Sequence, residues 1–254
     1  MGRLADASNA TLFATLGPLE VPVVYKPAAG ERPLWDFPRG TLHRREVATY
    51  LLDDALGLGV VPETVLRDGP FGIGSVQRWV GPLPGEPVEP GAGVVDVVEA
   101  GDLDDDGPRR GWKVVVEAYD ERGNEVVLCH ADDDRLRAMA VLDTLANNAD
   151  RKGGHVLDAG EGRLAGVDHG LTFHVERKLR TVLWGWSGEP VPDPLLAAVE
   201  RVHAALADDL GERLGDLLDD DEVAALRRRC HVLLRTGLFP QRRGDGPTIP
   251  WPAF

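Results

Sequence analysis

The residues with the clearest chemical potential form two short stretches of the 254-residue chain. The first is Leu142-Asp-Thr-Leu-Ala-Asn-Asn-Ala-Asp150-Arg-Lys-Gly-Gly-His155, and the second is Gly166-Val-Asp168-His-Gly170-Leu-Thr-Phe-His174. Helical spacing through Leu136, Met139, Ala140 and Asp143 predicts a helix over Asp133–Asn147, followed by a polar turn. Val156–Leu157 and Leu164–Val167 flank Asp158–Arg163 and predict a hairpin, with Asp150 and Asp168 at its two ends. Two nearby carboxylates repel unless a proton or cation lies between them. A divalent ion such as Mg²⁺ takes one or two carboxylates together with phosphate oxygens. That is the arrangement of phosphoryl transfer, in which one Asp orients the attacking group and the other holds the metal.

Composition limits the partners. Acidic residues outnumber basic ones by 42 to 28, a formal charge of −14, so nucleic acid is not expected as the main ligand. No apolar run approaches the ~18 residues needed to span a bilayer, so stable membrane insertion is not expected. The N-terminal residues lack the pattern of a secretory signal, and the expected location is cytoplasmic. Cys129 and Cys230 each precede a His, but two cysteines make no disulfide framework, and they read as reduced, structural residues. The acidic runs read as solvated loops and helix N-termini.

Several elements must position the chemistry. Val21–Lys26 alternates as a strand after a turn at Gly17–Pro18. Arg44–Leu56 has helical apolar rows, with Thr41 as N-cap and Gly57 as C-cap. Val60–Val65 and Gly74–Val80 read as strands, so residues 1–80 predict a small mixed β lobe. A Gly/Pro-rich segment, Gly81–Gly93, leads to a hairpin formed by Trp112–Tyr119 and Glu125–His130. From Pro194 onward the spacing is helical, so 81–254 predict a mainly helical lobe. Arg177–Arg180 and Arg227–Arg229 are expected on helix surfaces, and Trp184 and Trp186 in the core.

The pieces together resemble the phosphatidylinositol 3/4-kinase superfamily, most closely its type II phosphatidylinositol 4-kinase branch, as a small actinobacterial-type member. Four stretches over roughly residues 8–175 carry the resemblance: Val-Val-Tyr-Lys26-Pro; Arg45-Glu46-Val-Ala-Thr-Tyr-Leu-Leu-Asp; Leu58-Gly-Val-Val-Pro62 with Gly74-Ser-Val-Gln-Arg-Trp-Val80; and Asn148-Ala-Asp150-Arg151 with Val167-Asp168-His-Gly. The resemblance implies an α+β, two-lobed, protein-kinase-like fold that binds ATP with Mg²⁺ or Mn²⁺ in its cleft. It implies that Lys26 contacts the nucleotide phosphates, that Glu46 holds Lys26, that Asp150 is catalytic, and that Asp168 is the main metal ligand. Ser8, Asn9 and Thr11 would lie in the phosphate-covering loop, and Gln77, Arg78, Trp79 and Val80 at the hinge beside adenine.

Two features depart from the family. His155 stands five residues after Asp150, where the family usually has Asn as second metal ligand. Imidazole suits Mn²⁺ better than Mg²⁺, so His155 either ligates a softer ion, binds phosphate, or leaves the metal weakly held. No long basic loop follows Asp168, so the acceptor stays open between a lipid headgroup and a protein hydroxyl. Two further readings keep the nucleotide cleft: a nucleotide-binding pseudokinase acting as a scaffold, and a nucleotidyltransferase on a kinase-like fold.

Overall fold

The computed structural model describes residues 2–3, 9–102, 109–242 and 246–254; Ser8 lies outside them. The element order is β1 (Gly2–Arg3), β2 (Leu12–Leu16), β3 (Val21–Pro27), α1 (Leu42–Leu56), β4 (Thr64–Gly69), β5 (Gly72–Arg78), β6 (Val95–Glu99), β7 (Trp112–Tyr119) and β8 (Glu125–Ala131). There follow α2 (Asp134–Ala146), β9 (Val156–Asp158), β10 (Leu164–Gly166), α3 (Asp193–Ala205), α4 (Asp209–Gly215) and α5 (Asp220–Thr236). The fold is mixed α/β with small antiparallel sheets.

The first 78 residues form a sheet of order β1-β2-β3-β5-β4. Alternation along β3 puts Val23 and Tyr25 on the buried face with Ala14 and Val76, which turns Lys26 to the other face. Lys26 pairs in register with Ser75, and Pro27 with Gly74. A Cβ on Gly74 would sit 2.5 Å from the Lys26 carbonyl oxygen and 2.8 Å from Pro27 Cα. Only glycine permits this close approach, so Gly74 fixes the end of the lysine strand.

The expected strand at Val60–Val65 begins later, at Thr64. The reason is the buried carboxylate of Asp53 on α1, which accepts from the Val60 and Val61 backbone N–H groups at 3.3 and 3.1 Å. Those donors are therefore lost to a sheet, and the segment crosses from helix to strand as a loop. Helix α1 closes at Gly57 in the left-handed region, φ +70°, as its C-cap position requires. Thr41 does not cap it through its side chain; the hydroxyl donates to the Pro38 carbonyl instead.

The second part of the chain holds more β structure than the helical spacing predicts. Strands β6, β8 and β7 form a three-stranded sheet, in which β6 joins the expected hairpin from within the segment after the Gly/Pro-rich stretch. Helix α2 is capped by Asp133, which accepts from Arg135 N at 2.8 Å, and ends at Asn147 with φ +54°. Trp184 and Trp186 are buried as expected. Cys129 and Cys230 are buried and unbonded. Among the described residues no helix is long and apolar enough to cross a membrane.

The two parts share one large apolar core. Val47, Ala48, Leu52 and Leu56 of α1 pack in the same cluster as Leu136 and Leu142 of α2, Val202 of α3 and Leu226 of α5. A buried ion pair reinforces that join: Arg45 Nη2 lies 2.5 Å from Glu222 Oε1, while its Nη1 donates to the Thr172 carbonyl at 2.5 Å. Arg45 thus ties α1 to α5.

Arg151 is likewise structural. It is fully buried and donates to Asp143 through Nη2 at 2.9 Å and Nε at 3.0 Å, and to the Val167 carbonyl through Nη1 at 3.1 Å. Asp143 also accepts from Asn148 Nδ2 at 2.8 Å. Removing one partner of such a buried pair leaves the other charge uncompensated. Asp143→Ala should therefore cost about 3–5 kcal/mol, read as a lower urea midpoint with an unchanged slope.

Candidate functional site

A cleft of about 270 Å³ lies between the β3 end of the first sheet, α1, and the loops around β9 and β10. Its lining includes Asn9, Thr11, Lys26, Glu46, Asp150, His155 and Asp168. Those seven sequence-predicted residues converge from four separate parts of the chain. Gln77, Arg78, Trp79 and Val80 do not line this cleft. Gln77 turns inward and donates to Thr64 Oγ1 at 2.8 Å. Trp79 donates from Nε1 to the Gly81 and Pro82 carbonyls, and Phe13 packs edge-on against its ring.

Lys26 is the centre of the site. Its Nζ lies 2.5 Å from Glu46 Oε1 and 2.7 Å from Asp168 Oδ1. Burial opposes its charge, yet the attraction of Asp168 and Glu46 outweighs burial and raises the pKa above the ordinary lysine range, so the ammonium stays protonated. The other oxygen of Glu46, Oε2, accepts from the His169 backbone N–H at 2.9 Å. Glu46 therefore fixes two things together, the lysine and the chain segment that presents Asp168.

Asp168 adopts φ +61°, a left-handed conformation that Asp tolerates better than bulkier residues. Lys26 holds its carboxyl well below the usual range against the opposing effect of burial. Its side chain keeps 53% of its surface exposed, so the carboxylate opens into the cleft.

His155 and Asp150 complete the constellation. His155 Nδ1 is 2.9 Å from the Asp150 carbonyl oxygen. A carbonyl only accepts, so Nδ1 carries the proton. Burial lowers the imidazole pKa to about 4, outweighing the attraction of Asp168, so at neutral pH the ring is uncharged and Nε2 holds a lone pair. That lone pair lies 3.5 Å from Asp168 Oδ2. Two acceptors facing one another without a proton form a donor set for a divalent cation. Among the described residues, no group of three or more His, Cys, Asp and Glu side chains is gathered closely enough to hold a metal ion.

The Asp150 carboxyl is pushed up to about 6, first by burial and further by the negative charge of Asp168, with Lys152 and Arg180 pulling the other way. Lys152 Nζ lies 3.7 Å from Asp150 Oδ2. Lys152 was not singled out by motif, although its place two residues after Asp150 on the turn is the signal that could have found it. Also unforeseen are Glu31 and His43 at the cleft wall, joined at 2.8 Å. Arg177–Arg180 lie on an irregular segment rather than a helix, because Arg180 N donates to the Asn148 carbonyl and Lys178 N to Asn147 Oδ1. That segment braces the turn carrying Asp150.

No protein-family model matches the chain. It is 52% identical over 260 residues to Protein Rv2133c of Mycobacterium tuberculosis strain H37Rv, an alignment covering 100% of this chain and 91% of that protein. The chain belongs to the Rv2133c family. Solved structures similar to this Rv2133c-family chain are more distant. The Helicobacter pylori proinflammatory kinase CtkA aligns over 91% of both chains at 13% identity and a TM-score of 0.41. HipA of Shewanella oneidensis MR-1, from a toxin–antitoxin complex with HipB and operator DNA, aligns at 13% identity and a TM-score of 0.39. The latter match covers 92% of the Rv2133c-family chain but 64% of the HipA-complex chain.

The raised Asp150 pKa gives a signed expectation for stability. A carboxyl that titrates near pH 6 folded and near ~3.9 unfolded binds more protons in the folded state between those values. Its contribution is therefore full below the lower pH and is lost as pH rises through the upper one. Asp150→Asn removes that loss. The variant should match the wild type near pH 4 and be more stable near pH 7, by up to about 3 kcal/mol, in urea titrations across that range.

Proposed function

We propose that this protein is a phosphotransferase that moves the terminal phosphoryl group of ATP to an acceptor hydroxyl with the help of Mg²⁺ or Mn²⁺. The observation that carries the reading is the partly buried ammonium of Lys26, held charged between Glu46 and Asp168 in a polar cleft. A lysine so placed offers a fixed positive charge to phosphate oxygens, and Glu46 spends its second oxygen holding the Asp168 loop. Thr11 and Asn9 at the cleft rim supply polar groups to the same phosphates. Asp168 and His155 would hold the divalent cation, which when bound adds positive charge against the phosphate oxygens.

Asp150 takes the proton of the acceptor hydroxyl. A base with a pKa of about 6 is deprotonated at neutral pH and still basic enough to accept in the transition state. Lys152, on the same turn, restrains that carboxylate and offers charge toward the incoming group. The resemblance to phosphatidylinositol 3/4-kinases, most closely the type II phosphatidylinositol 4-kinases, leaves a lipid headgroup or a protein hydroxyl as acceptor, and the location that goes with this proposal is the cytoplasm.

One observation favours a second reading, nucleotide binding without catalysis. Lys26 engages Asp168 directly at 2.7 Å, so a nucleotide must separate the pair before both can act on phosphate. Transfer of the nucleotidyl rather than the phosphoryl group is the third outcome the same cleft allows.

Incubation with α- or γ-labelled ATP and each metal, with phosphatidylinositol vesicles or Ser/Thr-rich peptides as acceptors, separates the readings. The γ label should enter one acceptor, with a rate that rises as pH passes through about 6. Asp150→Asn should slow transfer by about 10²-fold or more with nucleotide affinity retained. Transfer of the α label, or nucleotide bound without any transfer, would overturn the phosphotransferase reading.

A further inference from the structure

A second cavity, of about 550 Å³, lies away from Lys26, between the C-terminal end of α2, the outer face of α5 and the segment 236–242. Its volume falls in the range of small-molecule sites. Arg177, Arg228, Arg229 and Arg242 line it, and no Asp or Glu is among its described lining residues. In a chain with a net charge of −14, Arg228, Arg229 and Arg242 give this cavity a locally positive wall.

Arg229 is the anomaly within it. Its Nε donates to the Leu145 carbonyl at 2.6 Å and its Nη1 to the His174 carbonyl at 3.4 Å, both neutral acceptors. Its Nη2 is buried and has no partner among the described residues. Burial, together with the neighbouring charge of Arg228, lowers its pKa to about 10. Cys230 opposes that shift, and Glu222 does so more weakly; the Glu222 carboxylate is already bonded to Arg45 at 2.5 Å and to the Asp219 backbone N–H at 3.1 Å. Among the described residues no carboxylate lies within ion-pair distance of Arg228, Arg229 or Arg242. A partly buried guanidinium with an unmade hydrogen bond and no carboxylate beside it among the described residues is costly, and an anion in the cavity would offset its charge.

Water in the cavity would not offset the guanidinium charge. Apolar side chains share the rest of the wall with Thr144, Asn147, Thr236 and Gln241: Val175, Leu233 and Phe239 line it, and Val232 and Leu238 at its edge remain 49% and 41% exposed. An occupant that suits both halves carries one anionic group and a hydrocarbon body. We propose that this cavity binds a free, single-chain anionic amphiphile, its carboxylate or phosphate head on Arg228 and Arg229 and its chain against Val232, Leu233 and Leu238. The site is independent of the phosphotransferase reading.

The test is calorimetric titration of the full-length chain with decyl phosphate below its micelle-forming concentration. One saturable site is expected, with decanol and inorganic phosphate each binding at least about tenfold more weakly, since each lacks half of the recognition. Arg228→Glu, at an exposed position outside any ion pair among the described residues, and Val232→Asp should each weaken decyl phosphate by about tenfold or more. Thermal melts should show both variants folded. Lys26→Met should bind decyl phosphate like the wild type. Absence of saturable binding, equal binding by the variants, inorganic phosphate binding as tightly as decyl phosphate, or binding to anionic vesicles alone would each overturn the proposal.

Discussion

The constraint on which the site depends is the partial burial of one ammonium. Lys26 projects from the face of the sheet opposite the Val23–Tyr25 cluster, and an isolated cation there would lose its proton or destabilise the fold. Two carboxylates from distant parts of the chain keep it charged: Glu46 on α1 and Asp168 after β10. Each must be carried to within hydrogen-bond distance by its own element. The placement of α1 on the common core, the glycine at position 74 and the left-handed backbone at Asp168 are all consequences of that convergence.

A second, wholly structural network stands behind the first. Asp143, Asn148 and Arg151 are buried, with Asn148 and Arg151 both donating to Asp143, and Arg151 reaches the Val167 carbonyl beside Asp168. The turn bearing Asp150 and the loop bearing Asp168 therefore hang on one guanidinium. This arrangement separates roles that adjacent letters in the sequence would merge: Asp150 and Lys152 face the cleft, whereas Arg151 between them faces the core. Arg45 and Glu46 divide in the same way, one tying α1 to α5 and the other holding the lysine.

Much of this was legible from residue patterns because it is local. Period-two alternation marked β3, helical rows marked α1 and α2, and the β9–β10 hairpin put Asp150 and Asp168 at its ends. What escaped depends on long-range partners. The loop at 60–63 exists because Asp53 takes its backbone donors, and no local pattern announces that. Strand β6 is recognisable only by its pairing with β8. The segment Arg177–Arg180 looks like an exposed basic helix in sequence but is irregular, held by Asn147 and Asn148. Residues Gln77–Val80, assigned to adenine by resemblance, are not among those lining the cleft around Lys26, and Ser8 falls outside the described residues.

The central claim is that Lys26 exists to meet phosphate, and calorimetric titration of Mg²⁺–ATP into wild type and Lys26→Met measures it most directly. Charged hydrogen bonds of this kind contribute enough that losing them should weaken nucleotide binding by about tenfold or more, with the variant still folded by its thermal melt. Wild type should show one saturable site. ATP that fails to bind wild type, or that binds Lys26→Met equally well, would contradict the account.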